Sequence, residues 1–409
     1  DGFTIDYDFG TTVGGFWEIE VEGEAGEEII VRGSEKCGGK HTQRKLSQEN
    51  ILNWSDNHTG KYYYKNCNSR FILKGMGTEH YQPRFFFHGF RYLQVKVSNP
   101  EKVRIKSIWV HQLQNSIAER GRFECSDESL NQIHNMVVQT FRNNLLHGIP
   151  LSNTNSEKYG WTGDVHLFSE AASYSFETAS FWTKWLNDFP DNQKWNGNNG
   201  KISVVVPELR EKKVFINDVS WLSVYPRLLE EMLKSNHDKQ IVKKHFPSLK
   251  KWYDYVYNHT DDGIASGVWG DHKIPGENKK SLGATRTMAR LINTSYLYKV
   301  SMIMAELAQA IDEDSSNYLS KAEKIKTIFH KEFYLPQNGY FMENTSPEYF
   351  NYELAANLIA LQCGIVADSL AGRISEFVQS QITNNNYRVP TGILGTKAYI
   401  DWFQKKDVD

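Results

Sequence analysis

Along residues 1 to about 115, apolar and polar side chains alternate in short runs broken by Gly and Asn turns. The runs are Phe16-Trp17-Glu18-Ile19-Glu20-Val21, Glu28-Ile29-Ile30-Val31-Arg32, Tyr92-Leu93-Gln94-Val95-Lys96-Val97 and Val103-Arg104-Ile105-Lys106-Ser107-Ile108-Trp109-Val110. A period of two turns one face of each run inward and the other to water, and turn signals at short spacing predict an antiparallel β-sandwich. From Ser126 the period lengthens. Leu130, Ile133, Met136, Val137, Phe141 and Leu145 recur at helical intervals, with Ser126 or Asp127 placed as a cap and His147-Gly148-Ile149-Pro150 placed to end the helix. Further helices are predicted at 164–189, 218–234, 238–258, 290–311, 315–333, 351–361, 366–382 and 396–405. Many helices of similar length, joined by Gly-, Asn- and Pro-containing loops without a short repeat, predict a helical toroid or an irregular helical domain. The chain thus divides into a β domain over 1–119 and an α domain over 120–409.

Length agrees with this division, since 409 residues at about 150 per domain make two or three domains with a sizeable core. Charge excludes more. Lys+Arg 47 against Asp+Glu 49 leaves a net charge of -2, without broad attraction to phosphate backbones, so nucleic acid is not an expected partner. No apolar stretch approaches the ~20 residues that cross a bilayer, and a membrane is not expected either. Cys37, Cys67, Cys125 and Cys363 lack metal-site or redox spacing; only Cys37 and Cys67 are candidates for a pair, and no metal or cofactor is expected. Five N-x-S/T sequons, at Asn53, Asn57, Asn258, Asn293 and Asn344, are what so Asn-rich a chain produces by chance. The 11 Trp, 21 Tyr and 22 Phe point outward as well as inward. Aromatic faces pack cores, but they also stack on sugar rings while nearby polar groups bind hydroxyls.

Candidate chemistry concentrates in one loop between two predicted helices, Leu151-Ser152-Asn153-Thr154-Asn155-Ser156-Glu157-Lys158-Tyr159-Gly160-Trp161-Thr162-Gly163-Asp164. Glu157 and Asp164 bracket Trp161, and two carboxyl groups beside an aromatic platform are what glycosidic cleavage or sugar recognition requires. Each residue also suits a plainer role: Asp164 as a helix cap, Trp161 as a core anchor, Glu157 as a solvated loop charge. Asn217-Asp218 with Trp221, and Trp269-Gly270-Asp271-His272, repeat the pairing of an acid with a Trp in two further interhelical loops. Three such loops are expected to converge at one mouth of a toroid.

The segment Glu157-Lys158-Tyr159-Gly160-Trp161-Thr162-Gly163-Asp164, preceded by Leu146-His147-Gly148-Ile149-Pro150, resembles the signature of the family 78 α-L-rhamnosidases. Tyr81-Gln82-Pro83-Arg84-Phe85-Phe86-Phe87-His88-Gly89-Phe90-Arg91-Tyr92 is similar to that family's β-domain motif, and Phe123-Glu124-Cys125-Ser126-Asp127 to the start of its catalytic domain. Trp269-Gly270-Asp271 and Thr391-Gly392-Ile393-Leu394-Gly395-Thr396 fall where the family has related segments. The resemblance implies a β-sandwich followed by an (α/α)6-barrel, and inverting hydrolysis of terminal α-L-rhamnosides without a metal. It implies Glu157 as general acid, Asp164 and Trp161 as sugar ligands, and Asp218, Asp271, Trp269 and Ser152 as further pocket positions. A rhamnose-containing oligosaccharide or glycoside is the implied partner, in a periplasmic or extracellular setting.

Two departures qualify that expectation. Ser152 stands where the family has Asp, and Ser156 where it has Arg immediately before the acid. Removing a negative and a positive neighbour acts on the acid's proton affinity in opposite directions, so an altered substrate, such as a substituted or anionic rhamnoside, is expected rather than simple loss. The alternative is a catalytically impaired rhamnoside-binding protein. The resemblance also places the general base in a later segment. Glu343 and Glu353 read as exposed acids, so the barrel is expected to be a fragment lacking its last helices. Asp1-Gly2-Phe3 shows no signal-peptide features and reads as a cut within a longer protein.

Overall fold

The computed structural model describes residues 3–35, 68–155, 157–208, 218–275, 288–343 and 352–405. They form two compact units, Asp1–Gly160 and Trp161–Asp409.

The first unit is a curled, six-stranded antiparallel sheet with one helix and a short hairpin. Its strands are β1 (Phe3–Gly23), β2 (Glu28–Ser34), β3 (Asn68–Ile72), β4 (Thr78–Tyr81), β5 (His88–Val97) and β6 (Val103–Gln112). They lie in the order β3-β2-β5-β1-β4, with β6 also beside β1. The long β1 pairs with β5 from Phe3 to Gly15, across an irregularity between Asp8 and Val13, and with β6 and β4 through its second half. The alternation read from the sequence decides the core: Trp17, Ile19, Val21, Ile29, Val31, Phe90, Leu93 and Val95 are each fully buried. Burial of side chains of this size contributes about 1.5–3 kcal/mol each.

Helix α1 (Glu128–Asn144) is capped by Asp127, whose carboxylate accepts the Ser129 N–H. It docks on β1 through a buried amide: Asn143 Oδ1 accepts the Gly14 N–H at 2.9 Å while Nδ2 donates to the Thr12 carbonyl at 2.9 Å. Leu130, Ile133, Met136 and Val137, the apolar row that predicts this helix, are exposed, and Phe141 carries the burial. The helix ends in a two-residue turn at His147 and Gly148, both with positive φ, between strands β7 (Leu145–Leu146) and β8 (Ile149–Pro150).

The second unit alternates inner and outer helices: α2 (Thr162–Ser175), α3 (Ala179–Trp195), α4 (Val219–Leu222), α5 (Val224–Asn236), α6 (Lys239–Asn258), α7 (Ala289–Ala310), α8 (Ser316–Phe333), α9 (Tyr352–Cys363), α10 (Asp368–Asn384) and α11 (Ile393–Gln404), with a small hairpin of β9 (Tyr334–Leu335) and β10 (Tyr340–Phe341) after α8. The predicted helix over 164–189 is two helices, because the backbone at Phe176 turns extended and ends α2. Helices α2, α4 with α5, α7, α9 and α11 touch in succession, and α11 returns to α2. This inner ring is buried almost all round, as in α7 and α9. The outer helices bury one stripe, as Ile374, Val378 and Ile382 do in α10. No described helix is long and apolar enough to cross a membrane.

Glu343 departs from the exposed role expected of it. It is 7% exposed, its Oε2 accepts the N–H groups of Arg290 and Leu291 in the first turn of α7 at 3.2 and 3.4 Å, and burial pushes its carboxyl up to about 7. The folded chain therefore favours the protonated acid more than an unfolded chain does, with its usual value of 4.5, and this group's stabilisation is lost as pH rises from about 4.5 through 7. Melting temperatures across that window are expected to fall less steeply in Glu343→Gln than in the native chain; parallel profiles would contradict the assignment.

Candidate active site

The loop with Glu157 belongs to the first unit, and the sequence dictates its closure. The Ser152 N–H donates to the Tyr159 carbonyl at 2.8 Å, and Leu151 N–H donates to Asn144 O at 2.8 Å. Inside, Asn153 Oδ1 accepts the Glu157 N–H at 3.1 Å. The loop is fastened to the sheet at three points. Gly89 N–H donates to Thr154 O at 3.0 Å, Asn155 Nδ2 donates to Glu35 Oε2 at 3.0 Å, and Lys158 Nζ donates to Phe87 O at 2.6 Å. Glu157 stands half-buried on this fixed loop. Ser152 contributes its backbone to the closure, and Ser156 lies outside the described residues. The Cys37–Cys67 pair also lies outside them, while Cys125 and Cys363 are free.

In the second unit the three loops predicted to converge do so. Trp161 precedes α2 and is pinned where it bridges Val205, and Thr162 donates through both N–H and Oγ1 to Val204 O at 2.9 Å. That support is held in turn by Trp185, whose indole N–H donates to Val206 O at 2.9 Å. The Trp161 ring meets Trp221 edge-on at 5.5 Å and Trp269 at 6.3 Å; Trp221 and Trp269 stack at 5.6 Å, and His272 stands edge-on to Trp269 at 4.9 Å. Such arrangements contribute about 0.5–1.5 kcal/mol per pair beyond area burial. Gly163 is required here, since a Cβ at that position would lie 2.3 Å from the Trp221 ring. Trp221 is buried, whereas Trp161, Trp269 and His272 are half-buried and present ring surface. Burial and the neighbouring Lys273 charge lower the His272 pKa to about 4, which keeps the ring neutral at ordinary pH. The indole N–H groups of Trp221 and Trp269 and Nδ1 of His272 have no hydrogen-bond partner among the described residues.

Asp164 occupies the first turn of α2, half-buried, with Trp161 rather than Asp164 in the capping position. A negative charge there suits the helix dipole. Asp218 is fully buried. Its Oδ1 accepts from Trp221 N–H and the Ser220 hydroxyl, and its Oδ2 accepts Val268 N–H and Trp269 N–H at 3.0 and 2.8 Å. Asp271 is equally committed: Oδ2 accepts Gly392 N–H at 2.7 Å, and Oδ1 accepts Leu394 and Gly395 N–H at 2.9 Å each. Cβ atoms on Gly392 and Gly395 would lie 2.7 and 2.6 Å from that carboxylate, so the glycines at the start of α11 admit it. A sugar-ligand role, expected of both acids, would use the acceptor capacity that these bonds leave. A carboxylate receiving several buried N–H groups has most of its acceptor capacity occupied, and each acid serves as the cap of a helix end and the anchor of a loop.

Two buried polar side chains support these loops from the helices behind them. Asn293, on α7, accepts Val219 and Ser220 N–H at 2.6 and 3.1 Å and so completes the α4 N-terminus; its burial also removes it from consideration as a glycan acceptor. His166 is fully buried, 3.1 Å from Ser223 Oγ, and burial holds its pKa well below the usual value, which makes it structural. Among the described residues no three His, Cys, Asp or Glu side chains gather as metal ligands would.

Comparison with known proteins places these features. A profile of the bacterial α-L-rhamnosidase six-hairpin glycosidase domain matches residues 118–408, and one of the bacterial α-L-rhamnosidase concanavalin-like domain matches residues 4–113. An α-L-rhamnosidase of Streptomyces avermitilis is 26% identical over 397 residues, which are 95% of this chain and 34% of that protein. One of Formosa agariphila is 28% identical over 310 residues, 73% of this chain and 32% of that protein. The chain therefore spans about a third of the length of these curated relatives. Among solved structures, an α-L-rhamnosidase from Dictyoglumus thermophilum superposes with a TM-score of 0.81 at 25% identity, covering 100% of this chain and 44% of that one. A Streptomyces avermitilis α-L-rhamnosidase complexed with L-rhamnose gives 0.80 at 23%, covering 99% and 36%, a likeness of fold.

Proposed function

The chain belongs to the bacterial α-L-rhamnosidase family, and from that membership we propose that it acts on terminal, non-reducing α-L-rhamnosides of glycans or glycosides by an inverting acid/base mechanism. The observation that carries this reading is the convergence of Trp161, Trp221, Trp269 and His272 from three loops, in a chain whose acid, Glu157, precedes Trp161 by four residues on a closed loop. Glu157 supplies the proton to the leaving oxygen as its bond to the anomeric carbon lengthens, and a second carboxylate, assigned to no residue here, receives the proton of the attacking water. The exposed surfaces of Trp161 and Trp269 suit the apolar face of a 6-deoxy sugar, and Asp164 is a hydroxyl acceptor beside them. Asp218 and Asp271 act through the rings and loops they hold. Ser152, neutral and small in place of the family's Asp, leaves room for a substituted or anionic rhamnoside.

Titration with L-rhamnose is expected to change the tryptophan fluorescence, and Trp161→Ala to weaken binding three- to tenfold, the worth of a single aromatic contact. Equal affinity for L-rhamnose and D-glucose, or indifference to Trp161→Ala, would contradict the reading. Binding without turnover of plain, sulfated and uronate-linked rhamnosides would favour the reading as a carbohydrate-binding protein, to which the Ser152 replacement points.

A further inference from the structure

Within the first unit, the segment from Pro83 to His88 holds three consecutive phenylalanines that the fold treats in different ways. Phe86 packs edge-on against the core residue Trp17, ring centres 5.4 Å apart. Phe87 meets His147 at 5.2 Å. Phe85 does neither: its backbone is left-handed, with φ 58, and its side chain is completely exposed at 108%. Both facts are costly. A left-handed backbone penalises any residue with a Cβ and is a genuine outlier for a bulky one, where Gly or Asn would be the economical choice. An aromatic ring held in water also forgoes the stabilisation that burial would give it. Strain of this kind persists where the surroundings over-determine it and clusters at ligand sites.

The surroundings here are those of the proposed acid. Lys158, the residue after Glu157, donates from Nζ to Phe87 O at 2.6 Å and lies over the Phe87 and Phe86 rings at 4.3 and 5.6 Å. Lys158 itself has φ 56, and its ammonium group ties it to Phe87, two positions after the left-handed Phe85. The clamp immobilises the backbone on the C-terminal side of Phe85 and couples it to the loop that presents Glu157. A general acid stands on the leaving-group side of the scissile bond. The Phe85 ring is carried two residues from that tie, on the segment bonded to the loop of Glu157.

We propose that Phe85 is a stacking platform for the ring attached to the scissile oxygen, and so sets preference for the leaving group. This rests on the reading of Glu157 as the acid. The ligand chemistry is a flat apolar ring face, supplied by the C–H face of a second pyranose or by an aryl group. The two sources are separated by measuring both a rhamnosyl-glucose disaccharide and an aryl rhamnoside against methyl α-L-rhamnoside, which has no second ring.

The test is calorimetric binding of these three compounds in a Glu157→Gln background, where hydrolysis is suppressed, with and without Phe85→Ala. A preference of about five- to tenfold for at least one ring-bearing rhamnoside over the methyl glycoside is expected, falling to about one in Phe85→Ala and retained in Phe85→Trp. Separately, Phe85→Gly is expected to raise the melting temperature, because it relieves the left-handed strain. If the native ring binds rhamnosides and Phe85→Ala keeps the preference, the platform is refuted while the rhamnoside reading survives. If no rhamnoside binds at all, both fall. A lowered melting temperature in Phe85→Gly would show that the fold needs the ring, and would also overturn the proposal.

Discussion

Glu157→Gln is expected to lower turnover of a rhamnoside with a sugar leaving group by about 10²- to 10⁴-fold, the range that a positioned general acid supplies. The loss should be much smaller for a dinitrophenyl rhamnoside, whose leaving group departs without protonation. The fold should be unaffected. Gln is isosteric, and the loop is closed by backbone and neighbouring groups: Ser152 to Tyr159, Asn153 to the Glu157 N–H, and Lys158 to Phe87. An unchanged melting temperature with turnover depending on the leaving group identifies the acid. Full activity on the sugar-linked substrate, or equal losses for both leaving groups, would remove Glu157 from that role.

Asp218→Ala is expected to have the largest effect on stability. It strips an acceptor from the N–H groups of Trp221, Val268 and Trp269 and from the Ser220 hydroxyl, at a fully buried position. Leaving buried donors unpaired costs about 1–3 kcal/mol each, and since such losses do not simply add, a total of about 3–5 kcal/mol is expected. Asp218→Asn keeps one acceptor oxygen and should lose roughly half as much. Because the same carboxylate fixes two of the ring-bearing loops, L-rhamnose binding should weaken even where the variant remains folded. Urea denaturation alongside the sugar titration measures both effects. A variant within about 0.5 kcal/mol of the native chain, the range of ordinary surface changes, would show that these bonds do not hold the site.

What the sequence discloses, and what it hides, follows from the range of each interaction. Trp17, Ile19 and Val21 alternate with acids, and a strand buried on one face admits no other reading. The outer helices α6, α8 and α10 are legible because their stripes recur every three or four residues, and a local cap, Asp238, which accepts Gln240 and Ile241 N–H, sits at the start of α6. The short β3 and β4 carry too few residues to show a period, and they form because β2 and β1 offer edges. In α1 the pattern predicts the helix but not its burial: Leu130 and Met136 are exposed while the polar Asn143 is inside, holding the irregular part of β1.

The site divides in the same way. An acid and a Trp within three residues is a local signal, and it leads to Trp161, Trp221 and Trp269. That Asp271 spends its oxygens on residues 392–395 is a contact across more than a hundred positions, and nothing near Asp271 announces it. The glycines at 392 and 395 are the one trace of it in the chain. The period of the sequence changes near residue 120, whereas the compact units divide at Gly160, because α1 and its hairpin pack with the sheet that precedes them. Glu157 therefore rides on the β-rich unit, four residues before the aromatic corner begins.

The measurement that bears most directly on the account is the anomeric form of the first product, followed by proton NMR from the moment an α-L-rhamnoside is mixed with the protein. Inverting hydrolysis at this site predicts that β-L-rhamnose appears first and then equilibrates with the α form. Initial release of α-L-rhamnose, or release of a different sugar from a mixed glycoside while the rhamnosyl bond stays intact, would contradict it.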